Sequence, residues 1–356
     1  MLKGDNIRGY VILEDFKVAG GMSKVSFAKK GDKEYFIKEF LYPKYPTPDS
    51  PGSDAVKAKK KKACEAFEKH HREINEKIRS KWAPGGNLVA TLDFFREGPC
   101  YYKINEKIDT SSISCEEISK LPFEKILLIA KSVCHSVRIL HDLDIVHGDL
   151  KPDNILIKKT PAGYSGKLID FDDSYFSGNP PVDRECVVGT PEYYSPEQAL
   201  YIMDEDEEIP GAILTCKSDI FTLGIIMTEY FTGDKPIVSK GSVWSAINKG
   251  ETVAFSKDVD PRVRELLLEM LSIKPENRPD IKDVFERLRN LDKEPPKITR
   301  GGTKGGGLRG KGLVGAGKDT PKGSPKPPTV KPPVTPPPPS TVGGLRGKGL
   351  DIAKKK

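Results

Sequence analysis

The chain has 356 residues with 37% hydrophobic and 31% charged side chains, an ordinary composition for a soluble globular protein. Its longest apolar run, residues 220–227, is too short to span a bilayer, and no basic-then-apolar signal pattern opens the sequence, so we expect no membrane association. Its six cysteines form no Cys-x-x-Cys pair, which favours reduced thiols and a cytoplasmic location over disulfides or zinc.

The N-terminal part has the pattern of strands. Residues 9–41 alternate apolar with polar side chains and are interrupted at Gly20-Gly21 and Gly31-Asp32, which predicts consecutive antiparallel hairpins. Residues 42–62 are rich in proline and lysine, and we interpret them as an inserted, solvated loop; a docking surface for an acidic partner is the alternative. A helix should follow, with apolar side chains on one side. Those side chains are Phe67, Ile74, Ile78 and Trp82.

Strands are predicted again at residues 89–95 and 99–103, and a strongly helical pattern begins at residue 122. The change from a strand-rich to a helix-rich half indicates an α+β fold with two lobes. Within the helix-rich half, the stretch His147-Gly148-Asp149-Leu150-Lys151-Pro152-Asp153-Asn154 places an acid, a base and an amide within eight residues, and a second acidic segment follows at Ile169-Asp170-Phe171-Asp172.

These two segments resemble the H-R-D-L-x-x-x-N and D-F-G motifs of eukaryotic-type protein kinases, in the version typical of soluble bacterial members. The resemblance implies a bilobal kinase fold, with a small β-rich lobe carrying one main helix and a larger helical lobe. It also implies ATP and Mg²⁺ as cofactors, Asp149 as catalytic base, Lys151 as a phosphate contact, and Asn154 and Asp170 as metal ligands. Two positions depart from the family, Gly148 for Arg and Asp172 for Gly.

The resemblance extends to the N-terminal half. The turn before Val25 is similar to the glycine-rich loop that covers ATP phosphates, and Lys38 matches the strand lysine that contacts them. The implied ATP-binding residues are Gly20, Gly21, Met22, Ser23, Val25, Lys38, and, at the hinge between lobes, Glu106 and Ile108. The lysine's helix partner stays open between Glu73, from a local motif match, and Glu76, from ungapped counting. Phe36 stands where the family has a small residue beside adenine.

Further motifs follow in family order. Residues 189–197 resemble the G-T-x-x-Y-x-A-P-E closing motif, and with Lys151 they indicate a serine/threonine rather than a tyrosine kinase. Residues 217–224 resemble the helix whose buried Asp219 fastens the catalytic loop. Arg278 corresponds to the family's partner for Glu197. An acidic insertion lies at residues 204–208.

The positive charge of the chain lies in its C-terminal segment. Residues 292–356 carry +11, with 14 Gly and 12 Pro, whereas the rest of the chain carries −4. Such a segment cannot bury enough apolar surface to fold, so we predict a disordered tail. One octamer occurs twice in it, at 306–313 and 343–350, and is either part of a flexible linker or a docking motif used twice. Nucleic acid would bind only non-specifically, because stacking aromatic residues are absent.

We therefore predict a kinase small lobe at residues 9–108, a large lobe at 109–291 and the tail. The expected activity is transfer of the ATP γ-phosphoryl group to Ser and Thr of protein substrates, autophosphorylation included. The alternative is a pseudokinase scaffold that binds nucleotide weakly and recruits partners through the basic tail, motivated by Val18, Phe36 and Asp172. A small-molecule kinase is disfavoured by the complete closing motif.

Overall fold

The computed structural model describes residues 1–19, 23–83, 86–109, 111–161, 163–181, 187, 189–203 and 210–291. The predictions for Gly20, Gly21 and Met22, for the acidic insertion at 204–208, and for the tail with both octamers lie outside these residues.

The N-terminal strands form one sheet, as their alternating pattern predicted. The strands are β1 (Asn6–Ile7), β2 (Tyr10–Ile12), β3 (Lys17–Ala19), β4 (Ser23–Lys30), β5 (Lys33–Phe40), β6 (Thr91–Glu97) and β7 (Cys100–Glu106). Within the described ranges they pair antiparallel in the order β1-β2-β4-β5-β7-β6, with β3 also on β4. One face of the sheet packs into a small apolar core around Ile12, Ile37 and Ile104, and the other face is left for a helix and for the site.

That helix, α1, runs from Asp54 to Ser80. It begins where the Ser53 side chain caps the backbone N–H of Val56, and Asp54 in the first turn complements the helix dipole. Ile74 and Ile78 of α1 join the main core, and Phe67 packs against Phe40, which lies on the free face of the sheet. The apolar side of the helix was therefore predicted correctly for Phe67, Ile74 and Ile78, whereas Trp82 lies beyond the end of α1 and packs against the main core from there.

The predicted loop at 42–62 requires a correction. Residues 54–62 are the first turns of α1, because the lysines there are good helix formers that follow a capping serine. The remaining segment packs on the sheet: the guanidinium of Arg96 lies 4.0 Å from the centre of the Tyr45 ring, and the Tyr45 backbone donates to the carbonyl of Pro99. The lysine run lies on an exposed helix surface and not in a solvated loop.

The helical part surrounds one long buried helix. Its helices are α2 (Cys115–Ser119), α3 (Phe123–His141), α4 (Pro196–Met203), α5 (Cys216–Thr232), α6 (Val243–Asn248), α7 (Pro261–Met270) and α8 (Ile281–Leu291). Helix α5 is buried along nearly its whole length, and it packs with α3, α7 and α8 in the main core. This core continues to Ile74 and Ile78, so α1 contacts both halves of the fold.

Short strands position the catalytic segments between these halves. They are β8 (Ile145–Val146), β9 (Ile155–Thr160), β10 (Gly163–Leu168) and β11 (Tyr175–Phe176). Strands β9 and β10 form a hairpin, and β8 pairs with β11. The stretch 147–154 therefore leaves β8 and enters β9, while the second acidic segment connects β10 to β11.

The α+β architecture, with a curled sheet followed by a helical part, agrees with the prediction. The lobe boundaries at 9–108 and 109–291 stay a prediction. No helix in the described part of the chain is long and apolar enough to cross a membrane. The five cysteines in the described ranges are free thiols, and Cys64 and Cys134 are buried.

Candidate active site

The backbone of the loop at 147–149 is hydrogen-bonded to a side chain of α5. Asp219, which is 3% exposed, accepts hydrogen bonds from the backbone N–H groups of His147 (2.7 Å) and Gly148 (3.3 Å). The carbonyl of Gly148 accepts from the side-chain amide of Gln198 in α4. Because these partners lie on two core helices, the loop that presents Asp149 is held in one position.

The carboxylate of Asp149 lies at the centre of a polar cluster. Its Oδ2 accepts from Nζ of Lys151 (2.7 Å) and from Nδ2 of Asn154 (3.2 Å), and its Oδ1 accepts from Oγ1 of Thr190 (2.9 Å). The ammonium of Lys151 also donates to Oγ1 of Thr190, at 2.9 Å. This arrangement fixes a carboxylate next to a cation, which suits a group that accepts a proton from a substrate hydroxyl.

Thr190 is a site residue that the sequence reasoning did not single out. It lies in the closing motif at 189–197, so the signal was present, but its contact with Asp149 spans 41 positions along the chain. The buried partner of the same motif was predicted: Arg278 makes two hydrogen bonds to Glu197, at 2.7 and 2.8 Å, with both side chains excluded from solvent.

Asn154 and Asp170 lie at the same end of the β9–β10 hairpin. Asn154 immediately precedes β9, and its carbonyl accepts from the backbone N–H of Ile169, the residue before Asp170. Asn154 donates through Nδ2 to the Asp149 carbonyl, which leaves its Oδ1 oxygen available. One amide oxygen and one carboxylate are hard oxygen donors, so this pair fits Mg²⁺, which retains several waters and needs few protein ligands.

Lys38 does not contact either predicted glutamate. Its ammonium donates to both oxygens of Asp170, at 2.8 and 2.9 Å, and to Oδ2 of Asp172 at 2.6 Å. Glu73 and Glu76 are both exposed, and Glu73 lies 3.9 Å from Lys69 one turn away. Both expectations for the helix partner of Lys38 are therefore wrong in this structure, because the two glutamates point to solvent.

The inward face of α1 carries a histidine instead. His71 is 4% exposed, and its ring stacks on Phe94 at a centroid distance of 5.2 Å. Burial lowers the pKa of His71 to about 3; Asp172 opposes this shift, and Lys103 adds to it. The helix thus presents a neutral ring to the site.

Lys103 is the second cation of the site, and the sequence reasoning missed it. It pairs directly with Lys38 across β5 and β7, and its ammonium donates to Oδ1 of Asp172. The only sequence signal was a single lysine inside an apolar strand. Burial alone would raise the pKa of Asp172, but Lys103 and Lys38 hold it well below its ordinary value.

The pKa values of the neighbouring acids Asp170 and Asp173 are raised, in contrast to that of Asp172. Burial raises the pKa of Asp170, and the charge of Asp172 adds to the rise although Lys38 opposes it. Burial also raises the pKa of Asp173 to about 7, together with Asp172, Asp170 and Asp149. Burial and the neighbouring carboxylates therefore disfavour the charged forms of Asp170 and Asp173, a perturbation that is common at functional sites.

The remaining predicted ATP residues lie on the sheet beside Lys38 or in the connection after β7. Val25 pairs with Lys38 across β4 and β5, and Phe27 pairs with Phe36, so all four side chains leave the sheet on one face. The two phenylalanine rings meet edge to face at 6.1 Å. Phe36 thus forms an aromatic pair beside the lysine.

The last three predicted ATP residues lie at or just after an end of strand β4 or β7. They are Ser23, Glu106 and Ile108. Ser23 is the buried first residue of β4, Glu106 is the exposed last residue of β7, and Ile108 follows half-buried.

Comparisons with known proteins agree with this geometry. The protein kinase domain family matches residues 53–288, so the chain belongs to the protein kinase family. The match begins at the start of α1, and β1–β5, which carry Lys38, lie outside it.

Similar proteins include the ovarian-specific serine/threonine-protein kinase Lok of Drosophila melanogaster, 33% identical over 206 residues, which are 56% of this chain and 39% of Lok. The serine/threonine-protein kinase PknA of Corynebacterium glutamicum is 32% identical over 171 residues, which are 45% of this chain and 33% of PknA. The serine/threonine-protein kinase PknB of Mycolicibacterium smegmatis is 28% identical over 191 residues, which are 51% of this chain and 28% of PknB. The chain spans about a third of the length of these relatives.

Proposed function

We propose that this protein is a serine/threonine protein kinase that transfers the γ-phosphoryl group of ATP to hydroxyl groups of proteins, with Mg²⁺ as the metal. The observation that carries the proposal is the Asp149 carboxylate, held at 2.7 Å from Lys151 and 2.9 Å from Thr190 on a loop anchored to the core. Phosphoryl transfer depends mostly on positioning and electrostatics, and such an anchored carboxylate supplies both.

Each of the chain's own groups has a distinct task in this proposal. Asp149 orients the acceptor hydroxyl and takes its proton, and Lys151 stabilises negative charge beside it. Lys38 contacts the nucleotide phosphates. Asn154 and Asp170 would hold the metal ion, which would neutralise the charge that develops on the phosphoryl group transferred from ATP.

The adenine end of the nucleotide is assigned to the sheet face. Val25 and the Phe27–Phe36 pair offer an apolar and aromatic surface next to Lys38, which supports stacking of Phe36 against the base. Backbone groups at Glu106 and Ile108 would hydrogen-bond adenine, with Ser23 at the start of β4 near the phosphates. Gly20, Gly21 and Met22 remain assigned to the phosphate-covering loop on the sequence alone.

Specificity for serine and threonine is proposed from Lys151 and the closing motif at 189–197, which have the form typical of serine/threonine kinases. In the structure the two are in contact, because Lys151 donates to both Asp149 and Thr190. The curated relatives bear serine/threonine-kinase names, which supports the same class. Protein substrates and autophosphorylation are part of this proposal.

The test is radiolabelled phosphate transfer from ATP by the full chain, to itself and to a casein acceptor, with and without Mg²⁺. We expect Mg²⁺-dependent label on phosphoserine and phosphothreonine after acid hydrolysis. Label mainly on phosphotyrosine would reject the specificity. Nucleotide binding without any transfer would support the pseudokinase scaffold.

The tail has a separate role in the proposal, which rests on sequence alone. Each octamer copy offers two leucines and two cations, enough for a docking motif used twice through avidity. A pull-down at physiological salt compares the full chain with a chain ending at Leu291. Partners captured only by the full chain are expected, and identical partner lists would leave the linker interpretation.

A further inference from the structure

Two lysines with largely buried side chains lie side by side in the candidate site. Lys38 of β5 and Lys103 of β7 are directly opposite each other in adjacent antiparallel strands, so their side chains leave the sheet on the same face. Their side chains are 12% and 3% exposed. Like charges in such an arrangement destabilise the fold unless an anion lies between them.

Asp172 supplies this anion. Its Oδ2 accepts from Lys38 at 2.6 Å and its Oδ1 accepts from Lys103, so each oxygen of one carboxylate holds a different lysine. The Asp172 side chain is itself only 12% exposed. A neutral residue at this position, such as the glycine of the family motif, would leave both cations without this partner.

Helix α1 offers no replacement within its described residues. The side chain it turns toward the lysines is that of His71, packed against Phe94, and not a carboxylate. Glu68, the partly buried acid of the helix, accepts instead from the hydroxyl of Tyr101 at 2.9 Å. Glu73 and Glu76 are exposed.

We propose that Asp172 is the positioning residue for Lys38, taking the task that a glutamate of the main helix performs in the protein kinase family, and that Lys103 fixes Asp172 in that task. The proposal rests on the proposed function. It differs from the family arrangement in that the carboxylate belongs to the segment that carries Asp170, two residues away.

The three hydrogen bonds of Lys38 have two different roles in this proposal. An ammonium group has three hydrogens, and here one serves Asp172 while the others serve the two oxygens of Asp170. The contacts to Asp170 can be exchanged for nucleotide phosphates while the contact to Asp172 keeps Lys38 in place. The position of Lys38 is then independent of the carboxylates of α1.

The experiment moves the carboxylate between the two segments. Asp172→Asn removes the charge at nearly constant shape, Asp172→Gly restores the family residue, and Asp172→Gly with His71→Glu places the acid on the helix. Steady-state kcat and KM for ATP are measured for each, with Glu65→Gln on the exposed side of α1 as control. We expect kcat/KM to fall about 10²-fold in both single variants and to recover at least about tenfold in the double variant.

A second double variant separates the positioning of Lys38 from the stability of the fold. Asp172→Asn with Lys103→Met removes the uncompensated cation, so the thermal midpoint should recover while kcat/KM stays low. Full recovery of kcat/KM in this variant would overturn the proposal, because Asp172 would then only neutralise Lys103. Wild-type kcat/KM in Asp172→Asn, or a tenfold loss in Glu73→Gln or Glu76→Gln, would also overturn it.

These outcomes are distinct from failure of the proposed function. If the wild type transfers no phosphate, the proposed kinase activity is rejected, and the affinity of the same variants for a fluorescent ATP analogue decides the positioning proposal. Weaker binding by about tenfold in Asp172→Asn, recovered with His71→Glu in the glycine background, supports it. Unchanged affinity overturns it.

Discussion

Gly148 lies against the backbone of Asp173 so closely that position 148 admits no side chain. Its φ of +83° lies in the left-handed region, and a Cβ atom there would overlap the carbonyl oxygen of Asp173 and approach the ring of Tyr175 at 3.2 Å. The glycine therefore does more than remove the arginine of the family motif. It permits the contact between the catalytic loop and the acidic segment that follows it.

Gly148→Ala should disturb both the fold and the site. The left-handed backbone alone costs about 1–2 kcal/mol for a residue with a Cβ, and the overlap with Asp173 adds to that. Because Asp149 is the next residue, we also expect phosphate transfer to fall by at least about tenfold. The control is Gly250→Ala, at φ +80° with open space around it, which carries the backbone cost alone. Equal losses of unfolding free energy in urea for the two variants would contradict the close approach.

Activity should not depend on phosphorylation of the segment after Asp173. Ser174 is 1% exposed and donates to the carbonyl of His147, and Tyr175 is equally buried. The position of the arginine that would anchor a loop phosphate is occupied by Gly148. We expect the triple variant Ser174→Ala, Tyr175→Phe, Ser177→Ala to retain transfer within about a factor of ten. A loss of several orders of magnitude would show that the segment is a phosphorylation switch.

Tyr175→Phe taken alone is a sharper test of the same region. Its hydroxyl is buried and has no hydrogen-bond partner among the described residues. Removing an unsatisfied polar group is close to neutral or stabilising. A fall in unfolding free energy of more than about 1 kcal/mol would contradict this environment.

Acid should destabilise the folded chain partly through His71. The unfolded chain protonates this side chain below its ordinary pKa of 6.5, whereas the folded chain keeps it neutral until about pH 3. The unfolded state therefore binds more protons in this window, and stability falls as the pH is lowered, by up to about 1.4 kcal/mol per unit from this group. The facing charges are those of Asp172, Lys103, Lys38 and His70.

His71→Gln removes this contribution. Its unfolding free energy should depend less steeply on pH between about 6 and 4 than that of the wild type. His135→Gln, at an exposed position of α3, is the matched control and should follow the wild-type slope. Parallel curves for His71→Gln and the wild type would show that His71 is not held neutral.

The helical half and its motifs were predictable because their signals are local. The residues from His147 to Asn154 are contiguous, and the pair of Glu197 with Arg278 belongs to two recognisable segments. The start of α1 had a signal as well, since Ser53-Asp54 is a typical helix cap. It was missed because the lysines that follow were assigned to a loop.

The environment of Lys38 was not predictable in the same way. Which residue lies opposite Lys38 depends on the register of β5 and β7, and one residue of slip would have turned Lys103 to the other face. The partner on α1 was sought among glutamates, but the inward face of the helix is the one that carries Phe67, Ile74 and Ile78, and one polar position lies among them. That position is His71, and the charge comes from Asp172.

The central claim is that Asp149 and Asp170 make this chain a phosphotransferase, and single-turnover transfer from radiolabelled ATP tests it most directly. Asp149→Asn and Asp170→Asn are compared with Asp142→Asn, a substitution at an exposed position after α3. The thermal midpoint of each variant is measured as well, to show that all three are folded. We predict a rate lowered by about 10²-fold or more in the two site variants and unchanged in the control. Wild-type rates in either site variant would contradict the assignment of the active site.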